Sequence, residues 1–208
     1  MNKINQRILD ILFFPLRCLF PNNENISWLH VTPLANDRFN IIEERLEPNK
    51  NLLDIGCGDN RLAKKYRKNG GKATGVDIAP KLEADIEIER SDKLGISDGE
   101  FDYITIIASL NHIPTREGTL QEAYRCLKPG GTIFITNLTP FIGIIGHKIW
   151  HLFKSDLDLG HRGHMEEGEE FGLKNYYIKR LLKETGFKNV KIVKFSFGLN
   201  NLIIAIKS

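Results

Sequence analysis

Cysteine is scarce in this chain: Cys18, Cys57 and Cys126 are the only three in 208 residues, and no two form a C-x-x-C pair. An odd, scattered set builds neither a disulfide framework nor a cysteine zinc site, and it fits a reducing, cytoplasmic setting. A dense basic stripe with interleaved aromatics is also missing. With 29 basic and 26 acidic residues the net charge is only +3, so nucleic acid is not an expected partner. Long apolar runs are missing too. The richest N-terminal stretch, 8–20, is broken by Asp10, Pro15 and Arg17. It is too short to span a bilayer and no small-residue cleavage site follows it. It reads as a helix that packs on the core or lies at a membrane surface.

What is present is an ordinary globular composition, 41% hydrophobic and 26% charged, sufficient for one core. The expected organisation is an N-terminal helical segment over 1–47 belonging to the same domain as a main unit over 48–208. Leu34, Phe39, Ile42 and Leu46 are spaced for a helix over 34–47. Strands are expected at 51–55, 72–77, 85–90, 101–108 and 132–136. Helices are expected at 61–69, closed by Gly70-Gly71, and at 115–127, stopped by Lys128-Pro129-Gly130-Gly131. A helix over 174–184 precedes two last strands, 187–197 and 201–207. The tight Gly198-Leu199-Asn200-Asn201 link makes those two antiparallel, since a parallel crossover needs a dozen or more residues.

The chemistry concentrates at 51–60, Asn-Leu-Leu-Asp-Ile-Gly-Cys-Gly-Asp-Asn. An apolar run ends in Asp54, and Gly56 and Gly58 follow before a helix can begin. Such a turn lets backbone approach a nucleotide-like ligand. A second apolar run ends in Asp77, where an acid can bind ribose hydroxyls. The dinucleotide pattern G-x-G-x-x-G fails because Arg61 stands at its third glycine. The P-loop pattern fails because no Gly-Lys-Ser/Thr follows.

Four motifs in order carry a resemblance: Leu-Leu-Asp-Ile-Gly-Cys-Gly (52–58), Gly-Val-Asp (75–77), Phe-Asp-Tyr-Ile (101–104) and Leu-Lys-Pro-Gly-Gly-Thr (127–132). Together they resemble the class I S-adenosylmethionine-dependent methyltransferases. The resemblance implies an α/β, Rossmann-like, doubly wound, mostly parallel seven-stranded sheet with an antiparallel C-terminal hairpin. It implies S-adenosyl-L-methionine as cofactor. Gly56, Cys57 and Gly58 would form the loop against its methionine part, and Asp54 would hold its ammonium group. Asp77 would take both ribose hydroxyls, and Ile78 would pack on adenine. Ser109 and Leu110 would close over the sulfonium. Asp85 and Asp92 compete for the adenine amino group, with Asp92 favoured. Asn60 replaces the family's third glycine, and asparagine tolerates positive φ.

Methyl transfer depends mainly on in-line positioning, with a base for an oxygen or carbon nucleophile. His112, just after the fourth strand, and His161 and His164 are the candidate catalytic residues. His147 and His151 stand four apart in an apolar stretch, but no metal site is expected because no cysteine supports one. The segment 138–172 reads as a substrate-side insertion. Its dense apolar part, 141–153, points to a small or lipid-like acceptor, with peripheral membrane contact through 8–20 and 141–153; packing as extra core is the competing reading. Residues 28–39 resemble the N-terminal segment of quinone-biosynthesis O-methyltransferases. Ser109-Leu110-Asn111-His112 stands where an amino-methylating member would carry Asn-Pro-Pro-Tyr, so O- or C-methylation is expected. The alternative is a non-catalytic cofactor-binding partner or membrane-adaptor protein. The sequence leaves the oligomeric state open.

Overall fold

The computed structural model describes residues 33–78, 83–139, 170 and 172–208. The apolar stretches 8–20 and 141–153 lie outside the described residues, as do 28–32 and most of 138–172. His147, His151, His161 and His164 lie outside them too.

Within the described residues, helix α1 (Pro33–Glu43) leads into β1 (Asn51–Ile55), α2 (Arg61–Lys68), β2 (Lys72–Asp77) and β3 (Ile86–Glu87). There follow β4 (Phe101–Ile107), a 3-10 turn over Leu110–His112, α3 (Arg116–Cys126) and β5 (Leu127–Leu138). Helix α4 (Asn175–Thr185), β6 (Lys188–Phe195) and β7 (Asn200–Ile206) complete it. The strands form one seven-stranded sheet in the order β3-β2-β1-β4-β5-β7-β6. The pairs among β1 to β5 are parallel, while β7 runs antiparallel to both β5 and β6. This is the expected α/β sheet with its antiparallel C-terminal hairpin.

The central strands are apolar because both faces are covered. Leu53, Ile55, Ile104, Ile106, Ile133 and Ile135 form one core with α3 and α4. Leu52, Tyr103 and Phe134 form the other with Ile42 of α1 and Leu62 and Tyr66 of α2. Helix α2 buries Leu62, Ala63 and Tyr66 and turns its lysines outward. It ends at Asn69, and Gly70 takes φ +87°, a left-handed exit that glycine adopts at no steric cost.

Four boundaries differ from expectation. Helix α1 stops at Glu43, four residues early; Pro48 keeps Glu47 out of helical geometry, and the chain turns through Arg45 N–H to Ile42 O and Leu46 N–H to Glu43 O. Strand β3 shrinks from 85–90 to two residues, paired only with Val76 and Asp77. Asp85 is diverted instead, its carboxylate accepting from the Gly75 N–H (2.8 Å) and from Arg67 Nη1 (2.7 Å). Strand β5 begins at Leu127, so Lys-Pro-Gly-Gly lies inside it. The register with β4 jumps there from Phe101 and Leu127 to Tyr103 and Thr132, while Gly130 N–H donates to Lys207 O and Lys207 N–H to Gly131 O. Pairing with the chain end thus carries the strand through the bulge. The last link is a 3-10 turn over Ser196–Gly198, and β7 already begins at Asn200.

Candidate active site

Strands β1, β2 and β4 are parallel, so their C-terminal ends meet at one edge, the place where open α/β sheets take ligands. The β1–α2 turn lies there. Gly56 (φ +71°), Gly58 (φ +56°) and Asn60 (φ +58°) all adopt left-handed backbone. The Gly56 and Cys57 amides both donate to Val76 O, at 2.9 and 3.2 Å. A Cβ on Gly56 would lie 2.6 Å from Ser109 Oγ, whereas one on Gly58 would meet nothing within 4 Å. The first glycine is therefore demanded by packing within the protein. The second borders open space.

Asn60 fills the third-glycine position in left-handed geometry, as expected of asparagine. It is fully buried, donates from Nδ2 to Glu83 O (3.0 Å) and sits against Gly75, where any side chain would collide with it.

Asp77 ends β2, 9% exposed, and its carboxylate accepts from the Gly58 N–H at 2.9 Å. Ile78 follows it, 50% exposed, an apolar side chain standing beside the acid at the open edge. Asp54 is buried in β1 and accepts from Thr105 Oγ1 at 2.6 Å, its register neighbour on β4. Burial raises the Asp54 carboxyl from its ordinary 3.8 to about 7; the Thr105 hydroxyl opposes this, and the Asp77 and Asp59 charges add to it. Cys57 is buried, and burial with nearby carboxylates pushes its thiol above the ordinary range. It is a packed loop residue.

Beyond β4, Ala108 takes φ +53°. Ser109 Oγ then donates to Ile55 O (3.2 Å), tying this turn to β1. His112 closes the 3-10 turn, half-buried, with its amide donating to Ser109 O at 2.9 Å. Asp54, Gly56, Cys57, Gly58, Asp77, Ile78 and Ser109 are thus gathered at one sheet edge, with His112 three residues beyond. The family described as "Methyltransferase domain" matches residues 27–192. The chain belongs to the class I S-adenosylmethionine-dependent methyltransferase family.

Sequence relatives of this methyltransferase include the ubiquinone biosynthesis O-methyltransferase of Pseudomonas putida (strain W619). It is 32% identical over 116 residues, covering 49% of this chain and 50% of that protein. The enzyme of the same name from Xanthomonas axonopodis pv. citri (strain 306) is 28% identical over 116 residues, covering 49% and 48%. The chain spans about half the length of these relatives. Among solved structures, an S-adenosylmethionine-dependent methyltransferase from Aquifex aeolicus is similar in fold, with TM-score 0.63 at 14% identity over 91% of this chain and all of that one. Haemonchus contortus phosphoethanolamine N-methyltransferase 2, solved with S-adenosyl-L-methionine, gives TM-score 0.64 at 15% identity over 89% and 57%.

Asp92 lies on the link between β3 and β4. It lies against Gly118 of α3 and is paired with Arg90 at 2.5 Å, which holds its carboxyl below the usual range. Asp85, its competitor, is occupied by Arg67 and the Gly75 amide. Among the described residues no group of His, Cys, Asp and Glu could hold a metal ion, and no helix is long and apolar enough to cross a membrane. Sequence reasoning missed Thr105, Asn111, Arg116 and Glu170. A signal existed for Thr105: it is the one hydroxyl in the apolar run 104–108.

Proposed function

We propose that the chain transfers a methyl group from S-adenosyl-L-methionine to an oxygen or carbon of a small or lipid-like acceptor. The observation that carries this reading is the charge of the site. Two acids, Asp54 in β1 and Asp77 at the end of β2, border the glycine loop, Asp77 accepting from the Gly58 amide, and a pyrophosphate brought here would be repelled. A ligand with an ammonium and a sulfonium avoids that repulsion. The rest of the surroundings fit the same ligand: Gly58 faces open space, Asp77 can accept from two hydroxyls, and Ile78 offers an exposed apolar face.

When bound, the cofactor supplies an already activated methyl group. Asp54 neutralises the ammonium, Asp77 orients the ribose and the turn after β4 bounds the methyl end. Asp92 is the adenine-side acid in this reading. His112 is the base candidate within the described residues, and His161 and His164 are the further candidates.

Support for an oxygen acceptor comes from the ubiquinone biosynthesis O-methyltransferases, to which about half of this chain is similar. The apolar stretches 8–20 and 141–153 favour an acceptor with a lipid-like part and peripheral membrane contact. Calorimetry with S-adenosylhomocysteine comes first, followed by transfer of labelled methyl to hydroxylated aromatics with and without prenyl tails. Binding and transfer support the reading. No binding at millimolar concentration overturns it, and binding without transfer to any acceptor favours the non-catalytic partner.

A further inference from the structure

The turn after β4 is gripped from both sides. Ala108 holds left-handed backbone, φ +53°, which side chains other than glycine rarely adopt. Its N–H is shared between Thr136 Oγ1 (3.0 Å) and Thr136 O (3.2 Å) on β5. From the other side comes Arg116, only 6% exposed. Its Nε donates to Leu110 O at 3.1 Å and its Nη2 to Asn111 O at 3.0 Å, while Nη1 faces Glu170 Oε1 at 3.3 Å.

Glu170 is itself fastened to the turn. Its N–H donates to Asn111 O (2.9 Å), and Asn111 Nδ2 donates to Glu170 O (3.1 Å). Three residues on, Leu173 is fastened to β5 by one side-chain amide: Asn137 Nδ2 donates to Leu173 O (2.7 Å) and Leu173 N–H to Asn137 Oδ1 (3.2 Å).

Burying a guanidinium is costly unless its donors are satisfied. Nε and Nη2 are spent on consecutive carbonyls of one short turn, and Nη1 on the Glu170 carboxylate. A rigid fork of donors fixes the shape of such a turn, which a lysine's point charge cannot do. The turn so fixed carries Ser109, whose hydroxyl reaches Ile55 O and crowds Gly56.

We propose that Arg116, with Glu170 and Asn111, is a positioning residue. It clamps the 108–112 turn against the glycine loop and thereby sets cofactor affinity. This rests on the cofactor reading above.

The test is calorimetry with S-adenosylhomocysteine, paired with hydrogen exchange, on the full chain. Arg116→Lys and Glu170→Ala are expected to weaken binding by about 5-fold or more, a usual size for coupling between neighbouring sites. Glu170→Gln, which keeps an acceptor for Nη1, restores affinity to near wild type. Faster exchange is confined to 108–113, 170 and 172–173, while β1 and β4 stay protected. Should Arg116→Lys fail to fold, Glu170→Ala and Asn111→Ala carry the test. Wild-type affinity in those two variants overturns the proposal. So does faster exchange spread evenly over the sheet, which a purely structural role would give. A wild-type protein that binds no S-adenosylhomocysteine overturns the cofactor reading, and this one with it.

Discussion

The Gly58 amide donates to the Asp77 carboxylate across 2.9 Å, joining the glycine loop to the end of the second strand. One carboxylate oxygen is thereby fixed before any ligand arrives, so the acid is already oriented. Asp77→Ala should weaken S-adenosylhomocysteine binding by roughly 1–3 kcal/mol, the scale of lost hydrogen bonds to a charged group. Asp77→Asn keeps an acceptor for Gly58 and should lose less. Unchanged affinity by calorimetry in Asp77→Ala would put the ribose partner elsewhere.

The two glycines of the loop should separate in their effects. Gly56→Ala meets Ser109 Oγ and a left-handed backbone at once, and should cost roughly 2–4 kcal/mol of stability. Gly58→Ala meets open space and should cost only about 1–2 kcal/mol. Its new methyl points where a ligand would lie, so binding should fail while the fold survives. Thermal melts and calorimetry on both variants check this; equal losses of stability would refute it.

Asp54 should couple binding to pH. Its folded-state value, about 7, lies above the ordinary 3.8, so the folded protein holds the extra proton between those limits. The Asp54 contribution is fully favourable below about pH 4 and is lost as pH rises through about 7, with a slope of up to ~1.4 kcal/mol per pH unit. Asp54→Asn should flatten that slope in urea titrations. An ammonium drawn to Asp54 would favour its ionised form, so binding at pH 6 should release a proton and tighten toward pH 8. Binding enthalpy that is the same in buffers of different ionisation enthalpy would contradict this.

Asp85 and Asp92 should divide structure from binding. Asp85→Ala removes the acceptor of the Gly75 amide and of Arg67, and should cost about 1 kcal/mol of stability with little change in affinity. Asp92→Ala should lower affinity for S-adenosylhomocysteine more than for S-ribosylhomocysteine, which lacks adenine. Equal losses for the two ligands would remove Asp92 from the adenine side.

Neither described cysteine should react in the native state. Burial raises the Cys57 thiol above the ordinary range and pushes Cys126 to about 11. Iodoacetamide at pH 8 should leave both unmodified by peptide mass spectrometry until denaturant is added. Rapid native labelling of Cys57 would mean the loop is open.

Much of this was legible along the chain because the signals are local. Apolar β-branched runs bounded by glycine and proline mark buried strands, and a two-glycine turn after Asp54 dictates its own backbone. Asn60 could be placed at positive φ because it stands at the resembled family's third glycine and asparagine tolerates that geometry. The ends of elements were less legible. Strand β3 is short because Asp85 turns to Arg67 and Gly75, and β5 runs through Lys-Pro-Gly-Gly because Lys207, distant in sequence, pairs with it.

By itself the sequence determined the order of strands and helices, the glycine loop and the two acids, Asp54 and Asp77. These depend on backbone preferences and on spacing within a few residues. The tertiary structure decided which polar groups meet: Thr105 beside Asp54, Ser109 against Gly56, Arg116 under the 108–112 turn with Glu170. The residues that meet lie 5 to 54 positions apart along the chain. Spacing in sequence does not encode such meetings. Only the packing of strands and helices brings the groups within hydrogen-bond reach, and burial then sets the strength of each contact.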